Sequence, residues 1–179
     1  MKKKLALALS LAAALSVGSA YAQKKSLVIG MGSADAGKLD PHLASTTPDK
    51  GLLNYIFNGL VRLKPGTASP DFIEPDLAES WTVNPAGTEF TFEIRQGVQC
   101  HHGYGPFTAE DAAFSIKRAA NKATSSYSGD FAALDKVEAV DASTLKITLK
   151  NPVAGFLGYV ANINGGNMVC KKAVDEMGE

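Results

Sequence analysis

Histidine and cysteine are scarce in this sequence, and neither positive nor negative charge is in excess. The 179 residues contain three histidines and two cysteines, and 18 Lys and Arg residues balance 18 Asp and Glu residues. No basic stripe with interleaved aromatic residues is present, and a protein that binds a phosphate backbone needs such a stripe. The composition therefore disfavours nucleic acid as a partner.

The sequence also lacks an apolar run long enough to cross a bilayer. The run from Leu5 to Val17 is shorter than the roughly 20 residues of a spanning helix. It follows Lys2 to Lys4 and precedes Ala20-Tyr21-Ala22, which is the order of basic, apolar and small residues in a secretory signal peptide. We predict that residues 1–22 are a signal peptide cleaved after Ala22. No cysteine follows that site to carry a lipid, so residues 23–179 are expected to be exported in soluble form.

The two cysteines, Cys100 and Cys170, admit two interpretations. In an oxidising compartment they could form a disulfide, but the sequence does not give the distance between their Cα atoms. Alternatively, both are small apolar side chains buried in the core. A chain of this length, 45% hydrophobic, needs no disulfide to hold a core, so both interpretations stay open.

Cys100, His101 and His102 stand side by side and belong to residue types that bind metals. Neighbouring side chains of an extended segment point to opposite faces, so the three cannot converge on one ion. His42 is far away in the sequence, and neither a metal-ligand spacing nor a nucleophile motif surrounds the cluster. We predict a turn here, with no metal, no cofactor and no catalytic residue. A secreted Cys/His metal-dependent hydrolase is the alternative from another functional class.

The first half of the chain predicts a strand and then a helix. The run "KKSLVIGMGS" (24–33) is typical of a buried strand that ends in a loop. A helix follows, with Thr47 as N-cap and Pro48 as its first residue. Apolar residues recur at helical spacing as far as Leu60, and Gly59 is expected to help end this helix.

Alternating patterns in the second half of the chain predict antiparallel hairpins. In "TEFTFEIRQGV" (88–98) and "VEAVDASTLKITLK" (137–150) apolar and polar residues alternate, as in half-buried strands. Between them, Thr108 and Asp111 form a capping pattern for a helix over 109–121. Together these elements predict a mixed α/β (α+β) fold.

Six segments of the chain, read in order, carry a resemblance to a known family. They are "LDPHLASTT", "YIFNGLVR", "PDLAESW", "GTEFTFEIRQGV", "HGYGPFTAEDAAFS" and "LKITLKNPVAGFL". In this order the chain resembles the peptide/nickel type of periplasmic solute-binding proteins, the family 5 substrate-binding subunits of ABC importers. The resemblance covers Lys24 to Met168. The family's turn "FHDG" stands here as "CHHG", so the resemblance also implies that Cys100 to Gly103 are a structural turn.

The resemblance implies a two-lobed receptor of the class II-like, large peptide-binding type. Residues 23–179 would be a partial solute-binding domain: the N-terminal part of the two-lobed fold and a part of lobe I, with the second lobe absent. By position, the loop after the first strand and the loop after the helix would line the ligand cleft. Their candidate ligand-binding residues are Ser45, Thr46 and Tyr127.

The resemblance also implies partners and a location. The protein would be a periplasmic monomer that binds di- or oligopeptides and delivers them to an inner-membrane ABC permease, without catalysing a reaction. Nickel or another metal chelate, a sugar and an opine are the alternative ligands within the same family.

Overall fold

A computed structural model describes residues 27–30, 32, 35–67 and 69–178 of the chain. The predicted signal peptide, residues 1–22, and its cleavage site lie outside the described residues. Among the helices that the model describes, none is both long enough and apolar enough to cross a membrane.

The described part of the chain contains short helices and strands. The helices are α1 (Thr47–Leu53), α2 (Ala109–Ala119), α3 (Phe156–Tyr159) and α4 (Lys171–Met177). The strands are β1 (Val61–Leu63), β2 (Ile73–Pro75), β3 (Ala78–Val83), β4 (Glu89–Ile94), β5 (Gln99–Cys100), β6 (Gly105–Pro106), β7 (Leu134–Ala139) and β8 (Thr144–Leu149). Three single turns of 3-10 helix span Pro70–Phe72, His101–Gly103 and Asn164–Gly166.

A four-stranded antiparallel sheet with the order β3-β4-β8-β7 forms the centre of the fold. Its two hairpins are the ones that the alternating sequence patterns predict. Along the central strands β4 and β8 the apolar residues are buried: Phe90, Phe92, Ile94, Leu145, Ile147 and Leu149. Burying each such side chain is worth about 1.5–3 kcal/mol, so the central strands contribute much of the folding free energy. Helix α2 belongs to the same core through its buried Ala112, Ala113 and Ile116.

Helix α2 begins where the capping pattern predicts. The Oδ2 atom of Asp111 accepts a hydrogen bond from the backbone N–H of Thr108 at 2.9 Å, so the short acid does reach back to the cap. Its other oxygen accepts one from the backbone N–H of Lys171 at 2.8 Å. Asp111 therefore also fastens the start of α4 to the start of α2.

Helix α1 differs from its prediction at both ends. Its N-cap is Thr46, not Thr47, because the Thr46 hydroxyl accepts a hydrogen bond from the backbone N–H of Asp49 at 3.4 Å. The helix ends at Leu53, so the apolar residues after it lie in a turn and Ile56 is 43% exposed. Local spacing does not show where tertiary contacts end a helix.

Gly59 does not end a helix, as the sequence pattern had predicted. It forms an isolated antiparallel bridge with Asn167, and a Cβ atom at this position would lie 2.3 Å from the backbone nitrogen of Asn162. Glycine is required here because two backbone segments approach closely.

The prediction of a buried strand in 24–33 is wrong for residues 27–30, which are exposed and carry no strand. An apolar run becomes a strand only where another strand pairs with it. In the part of the chain that the model describes, no strand pairing includes these residues.

Cys100 and Cys170 form a disulfide, which decides between the two interpretations of the cysteine pair. Their Cα atoms are 6.2 Å apart and the residues are 70 positions apart in the sequence. The bond joins β5 to the N-cap of α4. It closes a covalent loop that contains α2 and two of the four strands of the central sheet, β7 and β8.

Candidate functional site

The two loops that carry the predicted ligand-binding residues pack against each other. We call residues 40–46 the first loop and residues 121–130 the second loop. The Tyr127 hydroxyl donates a hydrogen bond to the carbonyl oxygen of Ala44. The backbone N–H of Ser126 donates to the carbonyl of His42 at 2.9 Å. Tyr127 is thereby placed next to Ser45 and Thr46, although it follows them by about 80 residues in the sequence.

The three predicted residues differ in what they offer a ligand. Ser45 is exposed, and its hydroxyl is available. Thr46 is exposed too, but its hydroxyl caps α1. Tyr127 is 7% exposed, so it supports the first loop from the protein interior and offers little surface to a ligand. Burial, and after it the charge of Asp130, raises the pKa of the Tyr127 hydroxyl, which therefore keeps the proton that it donates to Ala44.

The ring of Tyr127 contacts two further segments. The ammonium group of Lys50, on α1, lies 5.3 Å from the ring centroid. On another side, a Cβ atom at Gly165 would lie 2.7 Å from the Cβ of Tyr127, so the turn at Asn164–Gly166 packs tightly against this residue. The first loop, α1, the second loop and this turn thus converge on one side chain.

A buried polar network, which the sequence patterns did not reveal, holds the first loop. It consists of Asp40, His42, Arg118 and Asn167, and we call it the Arg118 network. The guanidinium of Arg118 binds both carboxylate oxygens of Asp40, each at 2.8 Å. Its Nη1 atom also lies 2.9 Å from Nδ1 of His42, and Nε2 of His42 lies 3.1 Å from the carbonyl oxygen of Asn167.

The network fixes the tautomer of His42. Arg118 has only donors, so Nδ1 of His42 must accept. The imidazole proton is then on Nε2 and is donated to the carbonyl of Asn167. Burial, and after it the charge of Arg118, lowers the pKa of His42 to about 4. His42 is therefore neutral at physiological pH, which this arrangement requires.

The carboxylate of Asp40 compensates the charge of Arg118. Burial alone would raise the pKa of Asp40, but hydrogen bonds from Arg118 and from the backbone N–H of His42 bring it below its usual range. The side chain of Arg118 is 4% exposed, and a buried guanidinium needs such an anion. The network therefore fastens the first loop to α2 and to the segment that begins at Asn164.

One sequence signal could have revealed the network. Arg118 lies on α2 between the buried Ile116 and Ala119, and an arginine among buried helix positions must have an acidic partner. His42 and Arg118 are 76 residues apart in the sequence, so their pairing was not predicted.

The Cys-His-His segment is a turn, as predicted. His101–Gly103 form a single 3-10 turn after β5, and His102 has φ 57°. Both histidines are exposed. Among the described residues, no group of three His, Cys, Asp or Glu side chains is close enough together to hold a metal ion.

A groove of about 380 Å³ lies beside the disulfide and α4. Most of its lining is apolar, including Leu39, Phe57 and Met177. None of Ser45, Thr46, Lys50 or Tyr127 lines it. Polar side chains line the groove too, among them Asn58, Gln99 and His101, so it has the mixed lining that small-molecule sites show.

Comparisons with known proteins point to one family. The family model described as bacterial extracellular solute-binding proteins, family 5 Middle, matches residues 73–175, which is more than half of the chain. The glutathione-binding protein GsiB of Escherichia coli O1:K1 is 31% identical over 156 residues, which are 87% of this chain and 29% of GsiB.

Solved structures of binding proteins also match the fold. MoaA from A. tumefaciens R10, in complex with mannopinic acid, is 47% identical with a TM-score of 0.79, over 82% of this chain and 30% of MoaA. The ABC transporter-associated periplasmic binding protein DppA from Helicobacter pylori, in complex with the peptide STSA, is 30% identical with a TM-score of 0.69, over 80% of this chain and 30% of DppA. NikZ from Campylobacter jejuni, in complex with Ni(L-His), is 28% identical with a TM-score of 0.67, over 79% of this chain and 27% of NikZ.

These matches confirm the mixed α/β fold of the periplasmic binding proteins that the sequence predicts. The chain spans about 30% of the length of the relatives that it matches.

Proposed function

The chain belongs to family 5 of the bacterial extracellular solute-binding proteins, and we propose that it is part of the substrate-binding component of an ABC importer. In this role it captures a small solute in the periplasm, delivers it to an inner-membrane permease and catalyses no reaction. The named relatives are themselves binding proteins, and DppA is associated with an ABC transporter.

The ligand that we propose is an opine or a short peptide. The similarity to MoaA carries this proposal, because its identity of 47% is well above that of the other relatives named here. MoaA binds mannopinic acid, DppA binds a peptide and GsiB is named for glutathione. The alternatives from the sequence, a metal chelate or a sugar, become outcomes of the test.

We assign the ligand-facing surface to the junction of the two loops. Ser45 is exposed there. Thr46 fixes the start of α1, and Tyr127 supports the first loop. Of the three predicted residues, Ser45 is thus the one that touches the solute. Thr46 and Tyr127 hold the first loop, and with it Ser45, in position.

We also propose how the chain is organised. Residues 1–22 serve as the signal peptide, with cleavage after Ala22. Residues 23–179 contribute part of one lobe of a two-lobed receptor, which acts as a monomer.

A thermal-shift experiment on the exported protein tests the function. Mannopinic acid, glutathione, the peptide STSA and Ni(L-His) are added separately. A ligand at 100 times its dissociation constant stabilises the folded state by about 2.7 kcal/mol, which raises the melting temperature measurably. We expect the largest rise with mannopinic acid or a peptide. A rise with Ni(L-His) alone would replace the proposed ligand class, and no rise with any of the four would contradict the assignment of the binding surface to the two loops of this chain.

Two serine variants locate the surface. Replacing Ser45 by Ala should weaken binding of the active ligand several-fold, because one hydrogen bond is lost. Ser80→Ala, at an exposed position on β3, is the matched control and should bind as the unchanged protein does. Equal affinities of the two variants would remove Ser45 from the site.

A further inference from the structure

The groove beside the disulfide and α4 opens directly onto the hydrophobic core. Side chains of the core itself line it, among them Leu77, Phe107 and Met168. Three large apolar side chains of its lining, Leu39, Ile56 and Met177, are 50%, 43% and 77% exposed. At the groove, the residues that the structure describes therefore leave one side of the core without a full outer layer.

Exposed polar side chains also line this groove. They include Gln99, His101 and His102. An apolar centre with polar, solvent-accessible residues around it is the arrangement of a protein–protein interface, and exposed apolar side chains that cluster mark such surfaces. A solute small enough for about 380 Å³ would not cover side chains as exposed as Leu39 and Met177. A polypeptide segment therefore suits the groove better than a solute does.

The related receptors indicate where such a segment would come from. This chain matches 30% of MoaA and 30% of DppA, so most of each receptor lies outside the matched region. In a receptor of that length the matched region adjoins the rest of the chain, and contacts between parts of one chain resemble protein–protein interfaces. The matched region thus needs a surface that fits another polypeptide segment.

The outer face of the central sheet does not suit such a contact. The residues of β4 and β8 that alternate with the buried ones are polar. The ammonium of Lys146 on β8 lies 2.8 Å from the carboxylate of Glu89 on β4, so the charges of this face compensate each other. The sheet therefore turns a water-compatible face outward, whereas the groove exposes apolar side chains.

We propose that the groove is the interface through which this chain packs against the rest of a family 5 receptor, and that an apolar segment of that receptor covers Leu39, Ile56 and Met177. This inference rests on the proposed function, in which residues 23–179 form part of one lobe, and it names the partner of that part. The covering segment is apolar where it meets the core side chains and polar where it meets Gln99 and the two histidines.

A chimera with MoaA tests the interface. In the chimera, the residues of this chain that match MoaA replace the matched region of MoaA, so the rest of that receptor is present. Ile56→Asp places a carboxylate in the groove. Val83→Asp, at the end of β3 and also 43% exposed, is the matched control. Thermal melting, followed by circular dichroism, is measured for both variants in the exported protein and in the chimera.

The two settings should give different results for Ile56. In the exported protein alone both positions are exposed, so both variants should melt close to the unchanged protein. In the chimera the groove is covered, so Ile56→Asp buries an unpaired carboxylate and should lower the melting temperature by several degrees or prevent folding. Val83→Asp should leave the melting temperature of the chimera unchanged. Equal melting temperatures of the two chimera variants, or an unchanged chimera that does not fold, would overturn the interface.

Other occupants of the groove would be visible in the exported protein alone. A second copy of the chain would give a dimer in sedimentation velocity, and Ile56→Asp would convert that dimer to a monomer. A solute in the groove would raise the melting temperature of the unchanged protein and of Val83→Asp but not that of Ile56→Asp, with mannopinic acid as the probe. Either result would overturn the assignment of the groove to the rest of the receptor.

The chimera measurement uses no solute, so its failure and the failure of solute binding are distinguishable. If the chimera variants differ as expected but no solute raises the melting temperature of the exported protein, the interface stands and the ligand surface assigned to the two loops fails. If a solute binds the exported protein but the two chimera variants melt alike, solute binding stands and the interface is overturned.

Discussion

A single buried histidine makes the stability of this protein depend on pH. In the Arg118 network, Nδ1 of His42 faces the guanidinium of Arg118 at 2.9 Å. Asp40, which is bound to the same guanidinium, also acts on His42 through its charge. Burial of the imidazole, and after it the charge of Arg118, disfavours the protonated form of His42 in the folded state, so its pKa falls from 6.5 to about 4.

We expect stability to fall as the pH falls from about 6.5 to about 4. Within that window the unfolded chain binds a proton at His42 and the folded chain does not, so acid favours unfolding. The difference between the two pKa values corresponds to about 3 kcal/mol, all of it present above pH 6.5 and lost near pH 4. Urea denaturation at a series of pH values measures it.

Two variants assign this effect. His42→Gln does not titrate, so it should remove this part of the pH dependence, although the protein starts from lower stability. Replacing the exposed His101 and His102 by Ala should leave the dependence as it is. If His42→Gln loses stability toward pH 4 as steeply as the unchanged protein does, the assignment to His42 is wrong.

Helices and strands differ in how far the sequence predicts them. The hairpins β3-β4 and β7-β8 are predictable because their alternation is local and each strand pairs with its neighbour in the chain. The end of α1 and the absence of a strand at residues 27–30 were not predictable, because contacts with distant segments decide both. For the same reason the Arg118 network was missed: Arg118 and His42 are 76 residues apart. The nearness of Tyr127 to Ser45 was inferred only from the family resemblance, since no local spacing encodes it.

The disulfide contributes by connecting two elements that are remote in sequence. It joins β5 to the start of α4, where Asp111 also binds the backbone of Lys171. Close to this point, the backbone N–H of Val169 donates to the hydroxyl of Ser115 at 2.9 Å. These three contacts anchor the segment that carries Asn167, and through His42 they reach the first loop.

We expect reduction of this disulfide to lower the free energy of unfolding by about 4 kcal/mol. A cross-link between residues 70 positions apart restricts the unfolded chain by about that amount at 25 °C, through loop-closure entropy. Urea denaturation with and without a reductant measures the difference. The double variant Cys100→Ala, Cys170→Ala should be as unstable as the reduced protein and insensitive to the reductant, and equal midpoints of the oxidised and reduced protein would contradict the expectation.

The whole molecule combines a rigid frame with one solvent-facing polar junction. The central sheet and α2 share one core, and the disulfide links β5 to the start of α4. The Arg118 network connects the first loop to α2. Under the proposed function, Ser45 is therefore presented by a framework that is in place before a ligand arrives. Binding to a preorganised surface loses less entropy, which suits the solute-binding role that we propose.

A disulfide and a solute-binding role both fit a chain that is exported to an oxidising compartment. We expect the exported protein to begin at Gln23. The small residues Ala20 and Ala22 occupy the two positions that the signal-peptide cleavage pattern requires to be small. Replacing Ala22 by Arg should block processing, so that the chain accumulates with residues 1–22 attached. Tyr21→Phe, at the position between them, should be processed normally. Mass spectrometry of the periplasmic fraction from a Gram-negative host distinguishes the two forms, and an unprocessed Met1 form of the unchanged protein in the membrane fraction would refute the assignment.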